Sequence, residues 1–263
     1  MTQKENAFHI SCSHIVDVRS SFVEKVAVII PAAGQGIRFG GNMPKQFVPV
    51  MGKPLLFWTL KAVLETGLID LCVIVLPRRN FDSYRDLVIS WLEDLSESHN
   101  VKNILTVPGG DERQESVWEG LKNLPDSAEW VAIHDGARPL ITQALFLRVL
   151  EKARSVGAAI AAIPARDTVK KVGQPPKNAI ITETLDRSFV WLAQTPQIFR
   201  RDIIMKAYEE AFASHFTGTD DASLVERLNY PVAIAEGDPL NIKVTSKEDM
   251  EWLLWRLQKK IVQ

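Results

Sequence analysis

Four times in the first half of the chain, a short apolar run gives way to a loop and then to a stretch with helical spacing. No other feature narrows the possible folds so far. Val26-Ala27-Val28-Ile29-Ile30 is unbroken by any polar residue and reads as a strand covered on both faces. Residues 71–76, 104–107 and 130–133 read the same way. Between them, Pro54 opens a helix over 55–65 and Gly67 closes it, the usual placing of these two residues at helix ends. A second helix presents Leu87, Val88, Trp91, Leu92 and Leu95 on an apolar face, and a third spans 112–124. The alternation predicts an α/β fold: a Rossmann-like, open, mostly parallel sheet with helices on both faces.

The segment 165–190 breaks this rhythm. Two β-rich pieces, 167–172 and 179–185, flank the turn-rich Gly173-Gln174-Pro175-Pro176-Lys177-Asn178. They predict a β-hairpin arm that projects from the sheet. Helices are expected over 202–213 and 220–227, a strand over 232–235, and a last helix over 246–261 started by a capping box of Ser246 and Asp249. Trp252 and Trp255 on that helix are expected to pack against the sheet. Residues 1–24 lack the apolar core of a signal peptide and read as a flexible N-terminal extension, with 25–263 as one domain.

The 31 Lys and Arg residues are balanced by 32 Asp and Glu, a net charge of -1. That balance gives no broad basic field for nucleic acid. No apolar run reaches the roughly 18 residues a membrane span needs. The two cysteines, Cys12 and Cys72, make no disulfide framework. A cytoplasmic setting without membrane or nucleic-acid partners is the expectation.

In an open parallel sheet, ligands bind beyond the carboxyl ends of the strands. Those ends carry the polar loops 31–38, 109–113 and 134–138. The first, Pro31-Ala32-Ala33-Gly34-Gln35-Gly36-Ile37-Arg38, invites a dinucleotide reading. Yet Phe39 stands where that fingerprint needs its third glycine, and the next helix starts only near Pro54. The second strand ends at Leu76-Pro77-Arg78 with no acidic residue for a ribose, although Arg78 and Arg79 keep an NADP-dependent oxidoreductase open as an alternative. No Gly-Lys-Ser/Thr occurs, so the loop is not a Walker motif. What remains is a long glycine-rich loop with Arg38 and Lys45 set in it. Its backbone N–H groups can wrap phosphate oxygens, and its cations can stabilise charge building on phosphorus.

Seven ordered segments carry a resemblance. They are 31–38 with Pro44-Lys45-Gln46, then 109–117, His134-Asp135-Gly136-Ala137-Arg138-Pro139, Asp167-Thr168-Val169-Lys170, 194–199, Thr219-Asp220-Asp221-Ala222 and Asn241-Ile242-Lys243-Val244-Thr245. Together they resemble the 2-C-methyl-D-erythritol 4-phosphate cytidylyltransferase family over about 26–257. The sister family, ribitol-5-phosphate cytidylyltransferase, is the alternative; it tends to carry Val and Phe where this chain has Ala137 and Leu140.

The resemblance implies transfer of a cytidylyl group from CTP to methylerythritol 4-phosphate, with release of pyrophosphate. It places Arg38 and Lys45 at the reacting phosphates, with Lys243 and Arg187 as further catalytic cations. Pro31, Ala32, Ala33, Gly34 and Gly36 would hold CTP from one side, and Gly110, Asp111 and Ser116 from another. Asp135 and Gly136 would meet the ribose, and Asp135 would ligate Mg²⁺. Thr219 with Lys243, and Thr168 with Arg187, would bind the second substrate together with Thr195 and Arg138, Arg138 having as its alternative the bracing of the loops through ion pairs. The arm would reach into a neighbouring subunit, giving a homodimer with shared sites. His134 reads as structural.

Overall fold

The computed structural model describes residues 24–34, 44–96, 103–173 and 179–261. The chain enters as β1 (Val26–Pro31), forms the short pair β2 (Pro49–Val50) and β3 (Lys53–Pro54), and continues into α1 (Leu55–Glu65). Then come β4 (Leu71–Leu76), α2 (Phe81–Ser96), β5 (Ile104–Pro108), α3 (Arg113–Lys122) and β6 (Trp130–Ile133). The second half holds α4 (Gln143–Val156), β7 (Ala158–Pro164), β8 (Lys170–Val172), β9 (Ile181–Thr184) and β10 (Trp191–Arg200). It ends with α5 (Arg201–Ala213), α6 (Asp221–Arg227), β11 (Ala233–Glu236) and α7 (Lys247–Ile261).

Seven strands form one sheet in the order β11-β7-β10-β6-β1-β4-β5. All neighbours are parallel except β10, which runs antiparallel to both β6 and β7. The chain leaves β1 toward β4 and β5, then returns to β6 on the other side of β1. That reversal makes the carboxyl ends of β1 and β6 the switch point where such sheets bind ligands.

Successive side chains of β1 enter opposite layers, as strand geometry requires. Val26, Val28 and Ile30 pack with Leu56 and Leu60 of α1, Val88 and Trp91 of α2, and Phe146 of α4. Ala27 and Ile29 pack with Val117 and Leu121 of α3, Ile203 and Ile204 of α5, and Leu224 of α6. Helices therefore cover both faces. A smaller cluster joins Leu253 and Leu257 of α7 to Val50, Leu55, Ala137, Leu140 and Val244.

Several sequence expectations change. β5, expected to be covered on both faces, is an edge strand with an exposed Leu105, and β11 closes the other edge. Leu87 is 38% exposed; Val88, Trp91 and Leu95 are buried on α2, and the side chain of Leu92 lies outside the described residues. Trp252 packs into the small α7 cluster rather than on the sheet, and Trp255 is 49% exposed beneath the Lys259 ammonium. Glu24, assigned to the extension, pairs with Arg154 at 2.6 Å. Residues 1–23 lie outside the described residues.

β8 and β9 form the arm, pairing Lys170 with Thr184 and Lys171 with Glu183. Both strands are exposed along their length.

Candidate active site

The cleft at the switch point is lined by Pro31, Ala33, Gly34, Lys45, Gln46, Arg113, Ser116, Asp135, Gly136, Ala137 and Lys243. β1 delivers the first of these and β6 delivers Asp135, immediately after Ile133 and His134. Lys45 starts a single 3-10 turn, 45–47, and its Nζ donates to the Val244 carbonyl at 2.8 Å. Gln46 beside it is buried. The base of the cleft is tight at Gly109, where a Cβ would overlap Ala33 and the Ser116 hydroxyl. Only glycine allows the end of β5 to approach β1 so closely.

Asp135 is the electrostatic centre. Its Oδ1 accepts from Arg113 Nε at 3.3 Å, and its Oδ2 lies 2.9 Å from Lys243 Nζ and 3.4 Å from Arg138 Nε. Burial works against a carboxylate here, but Arg113, Lys243 and Arg138 outweigh it and hold the group well below the usual range. Arg113 also forms a two-pronged pair with the fully buried Asp221, at 2.7 and 3.1 Å. Burial likewise disfavours the Arg113 charge, and Asp221 and Asp135 more than compensate. With Lys45 present as well, cations outnumber carboxylates at the cleft, as an anionic ligand requires.

A neutral network fixes the backbone of Asp135. Its N–H donates to Thr195 Oγ1 at 3.0 Å, and that hydroxyl lies 3.1 Å from His134 Nδ1. His134 Nε2 faces the Arg138 carbonyl at 3.0 Å, so Nε2 carries the proton and Nδ1 accepts from Thr195. Burial lowers the His134 pKa to about 4, which keeps the ring uncharged beside three cations. Arg138 Nη1 donates to the Asn241 carbonyl at 2.7 Å and ties this network to the segment carrying Lys243.

The start of α3 forms the far wall. Glu112 caps the helix, and Glu115 reaches back to accept from the Glu112 and Asp111 N–H groups at 3.3 and 2.8 Å. Ser116 is buried and donates to the Glu112 carbonyl at 3.0 Å, with the Gly110 carbonyl at 3.4 Å.

The structure thus brings Pro31, Ala33, Gly34, Lys45, Ser116, Asp135, Gly136 and Lys243 to one cleft. Ala32 is buried behind it, and Thr195 and Arg138 support it from below. Gly110 and Asp111 lead into α3, where Asp111 is exposed. Thr168, Arg187 and Thr219 are exposed and line none of this cleft; Arg187 donates to the Arg166 carbonyl at 2.6 Å. Gly36 and Arg38 lie outside the described residues. Arg113, Asp221 and Gln46 were missed as site residues. Arg113 sits among Asp111, Glu112 and Glu115, and reads in sequence as a solvated charge. The signal for Asp221 was the doubled acid at a helix start: Asp220 accepts from Ser223 N–H as the cap, leaving Asp221 for another partner.

The model of the 2-C-methyl-D-erythritol 4-phosphate cytidylyltransferase (IspD) family matches residues 26–254. A protein of that name from Syntrophus aciditrophicus is 44% identical over 226 residues, covering 86% of this chain and 93% of the relative. One from Symbiobacterium thermophilum is 42% identical, covering 85% and 89%. Among solved structures, 4-diphosphocytidyl-2C-methyl-D-erythritol synthase from Anaerococcus prevotii superposes with a TM-score of 0.73 at 32% identity, covering 89% of this chain and 99% of that one. The Francisella tularensis cytidylyltransferase gives 0.70 at 32%, covering 88% and 99%.

Proposed function

The chain belongs to the 2-C-methyl-D-erythritol 4-phosphate cytidylyltransferase family, and from that premise we propose how its residues divide the work. The reaction joins CTP and 2-C-methyl-D-erythritol 4-phosphate into the CDP-alcohol. A phosphate oxygen of the alcohol attacks the α-phosphorus of CTP, and pyrophosphate leaves with the electron pair of the broken P–O bond. The attacking phosphate is already anionic at neutral pH, so no strong base is needed. The task is to bring two anions together and to stabilise the added charge in the transition state.

The observation that carries this reading is the cation-rich cleft at the end of β1, where Arg113 and Lys243 pair with Asp135 and Lys45 lines the same cleft. Lys45, with Arg38, contacts the α-phosphate and the departing pyrophosphate. Cytosine lies against the 109–116 loop, read by backbone groups of Ala33 and Gly110 and by Ser116. The tight contact among Gly109, Ala33 and Ser116 supports a pocket of fixed shape there. Lys243 and Thr219 take the phosphate of the alcohol.

Asp135 would meet the ribose and would hold a Mg²⁺ brought with the triphosphate. The fit rests on one hard carboxylate at the cleft; a Mg²⁺ held by one carboxylate and several phosphate oxygens is an ordinary arrangement. Asp238 is no second ligand in this reading, because it does not line the cleft. When bound, the ion neutralises phosphate charge. Lys243 sits 2.9 Å from Asp135 Oδ2, and its other N–H donors remain for a substrate phosphate.

Thr168 and Arg187 act on a neighbouring subunit through the arm, which makes the enzyme a homodimer. Their exposure, and the apolar surface at Ile180, Phe189 and Leu192, support this. No helix among the described residues is long and apolar enough to cross a membrane. An NADP site at Arg78 gains no support, since Arg78 Nε is engaged by the Gly109 carbonyl at 3.0 Å. Competition assays test the base pocket: CTP serves as donor, and UTP and ATP at equal concentration compete poorly. Equal use of all three nucleotides rejects the pocket.

A further inference from the structure

The first turn of α3 holds more than the nucleotide side of the cleft. Gln114, half-buried and given no ligand, grips the chain between α5 and α6. Its Nε2 donates to the Phe216 carbonyl at 3.0 Å, and its Oε1 accepts from Gly218 N–H at 2.9 Å. One residue earlier, Arg113 binds Asp221 through two hydrogen bonds. The same Asp221 accepts from the Tyr208 hydroxyl at 2.5 Å, and the Tyr208 ring stacks on Trp118 of α3 with centroids 6.0 Å apart. Residues 216–221 are therefore anchored to α3 at both ends, and the exposed Thr219 lies between the anchors.

Connecting segments of this kind are ordinarily the mobile parts of a fold. Here one side-chain amide satisfies a carbonyl and an N–H two residues apart. A carboxylate would repel the carbonyl, and a hydroxyl is too short to span both. The Gln114 contacts touch no cleft residue, whereas Arg113 also reaches Asp135. The two anchors thus differ: one serves the 216–218 segment alone, and the other links that segment to the centre of the cleft.

We propose that Gln114 is a positioning residue that presents Thr219 to the phosphate of the acceptor alcohol, with the Arg113–Asp221 pair as its fixed counterpart. This rests on the reading of Thr219 as an acceptor-phosphate ligand. Gln114 sets the affinity for the acceptor and leaves the nucleotide site alone.

Steady-state kinetics of Gln114→Ala, Gln114→Glu and Thr219→Val, with each substrate varied in turn, test it. Loss of the bridge raises the KM for the alcohol phosphate about tenfold, the weight of one to two hydrogen bonds. The KM for CTP stays within about twofold of wild type in the same variants, a split that a merely structural role does not produce. Gln114→Glu keeps the acceptor for Gly218 but not the donor for Phe216, and shows a rise of the same direction. An equal rise in both KM values, or a lower melting temperature with unchanged KM values, overturns the inference. A raised acceptor KM in Thr219→Val alone overturns it while leaving the acceptor site standing. No change in any of the three variants removes the Thr219 reading with it.

Discussion

Lys45 is placed by the segment that carries Lys243: its ammonium rests on the carbonyl of Val244, the residue after Lys243. Such a cation is useful to a transition state because it needs no rearrangement when charge develops. Removing it takes the hydrogen bond to the Val244 carbonyl from the fold and a positive charge from the cleft. Lys45→Ala is therefore expected to lower kcat by about 100-fold or more, with the KM for the alcohol phosphate changed less than about threefold. A kcat within tenfold of wild type takes Lys45 out of the catalytic set. At this scale the sequence was legible where short motifs hold their own residues, as with Lys45, Asp135 and Lys243. It was not legible at Arg113, whose partner Asp221 lies 108 residues away. A local charge pattern cannot announce a pair that the fold alone creates, and the same holds for the support that Thr195 gives Asp135.

The ends of helices were the most readable elements. Pro54 and Gly67 bracket α1 as expected, and Ser246 with Asp249 starts α7. Asp249 accepts from the Thr245 and Ser246 N–H groups and the Thr245 hydroxyl at 2.7–2.9 Å. Burial pushes its pKa up, yet these hydrogen bonds prevail and the net shift is downward. A depressed carboxylate stabilises the fold above its unfolded-state pKa near 4, and that stability is lost as pH falls through the folded value. Asp249→Ala should thus cost about 1 kcal/mol at pH 7, with the gap from wild type narrowing as the pH falls below about 4. Urea midpoints at pH 7 and at pH 3 measure it, and a gap independent of pH contradicts the role. The less readable elements were α4, β7 and β10. β7 reads Ala-Ala-Ile-Ala-Ala-Ile-Pro, and alanine has little strand preference of its own. It is a strand because it lies between β10 and β11, with α4 packed close against its small side chains. β10 contains Pro196, which argues against a central strand, and its ladder is interrupted between Ala193 and Gln197.

Over the whole molecule, the alternation of strands and helices foretold the sheet, but not the antiparallel β10 between β7 and β6. The arm was legible as a hairpin because its turn residues are local. Its purpose is not local. Two strands alone are marginal in water, and this pair carries an unburied apolar surface, with Phe189 nearby at 84% and Ile180 at 75% exposure. If a second subunit covers that surface and receives Arg187, each cleft takes residues from two chains. Mixing an Arg187→Ala chain with a Lys45→Ala chain should then regain about a quarter of wild-type activity, since half the dimers are mixed and each has one intact site. Verified mixed dimers without activity contradict the shared site.

The central claim is that this cleft joins CTP to one alcohol phosphate. Pyrophosphate release from CTP, followed with 2-C-methyl-D-erythritol 4-phosphate, with ribitol 5-phosphate, and with neither, tests it most directly. The account predicts rapid release with the methylerythritol compound and little with the other two. Release that ignores the acceptor, or that favours ribitol 5-phosphate, contradicts it.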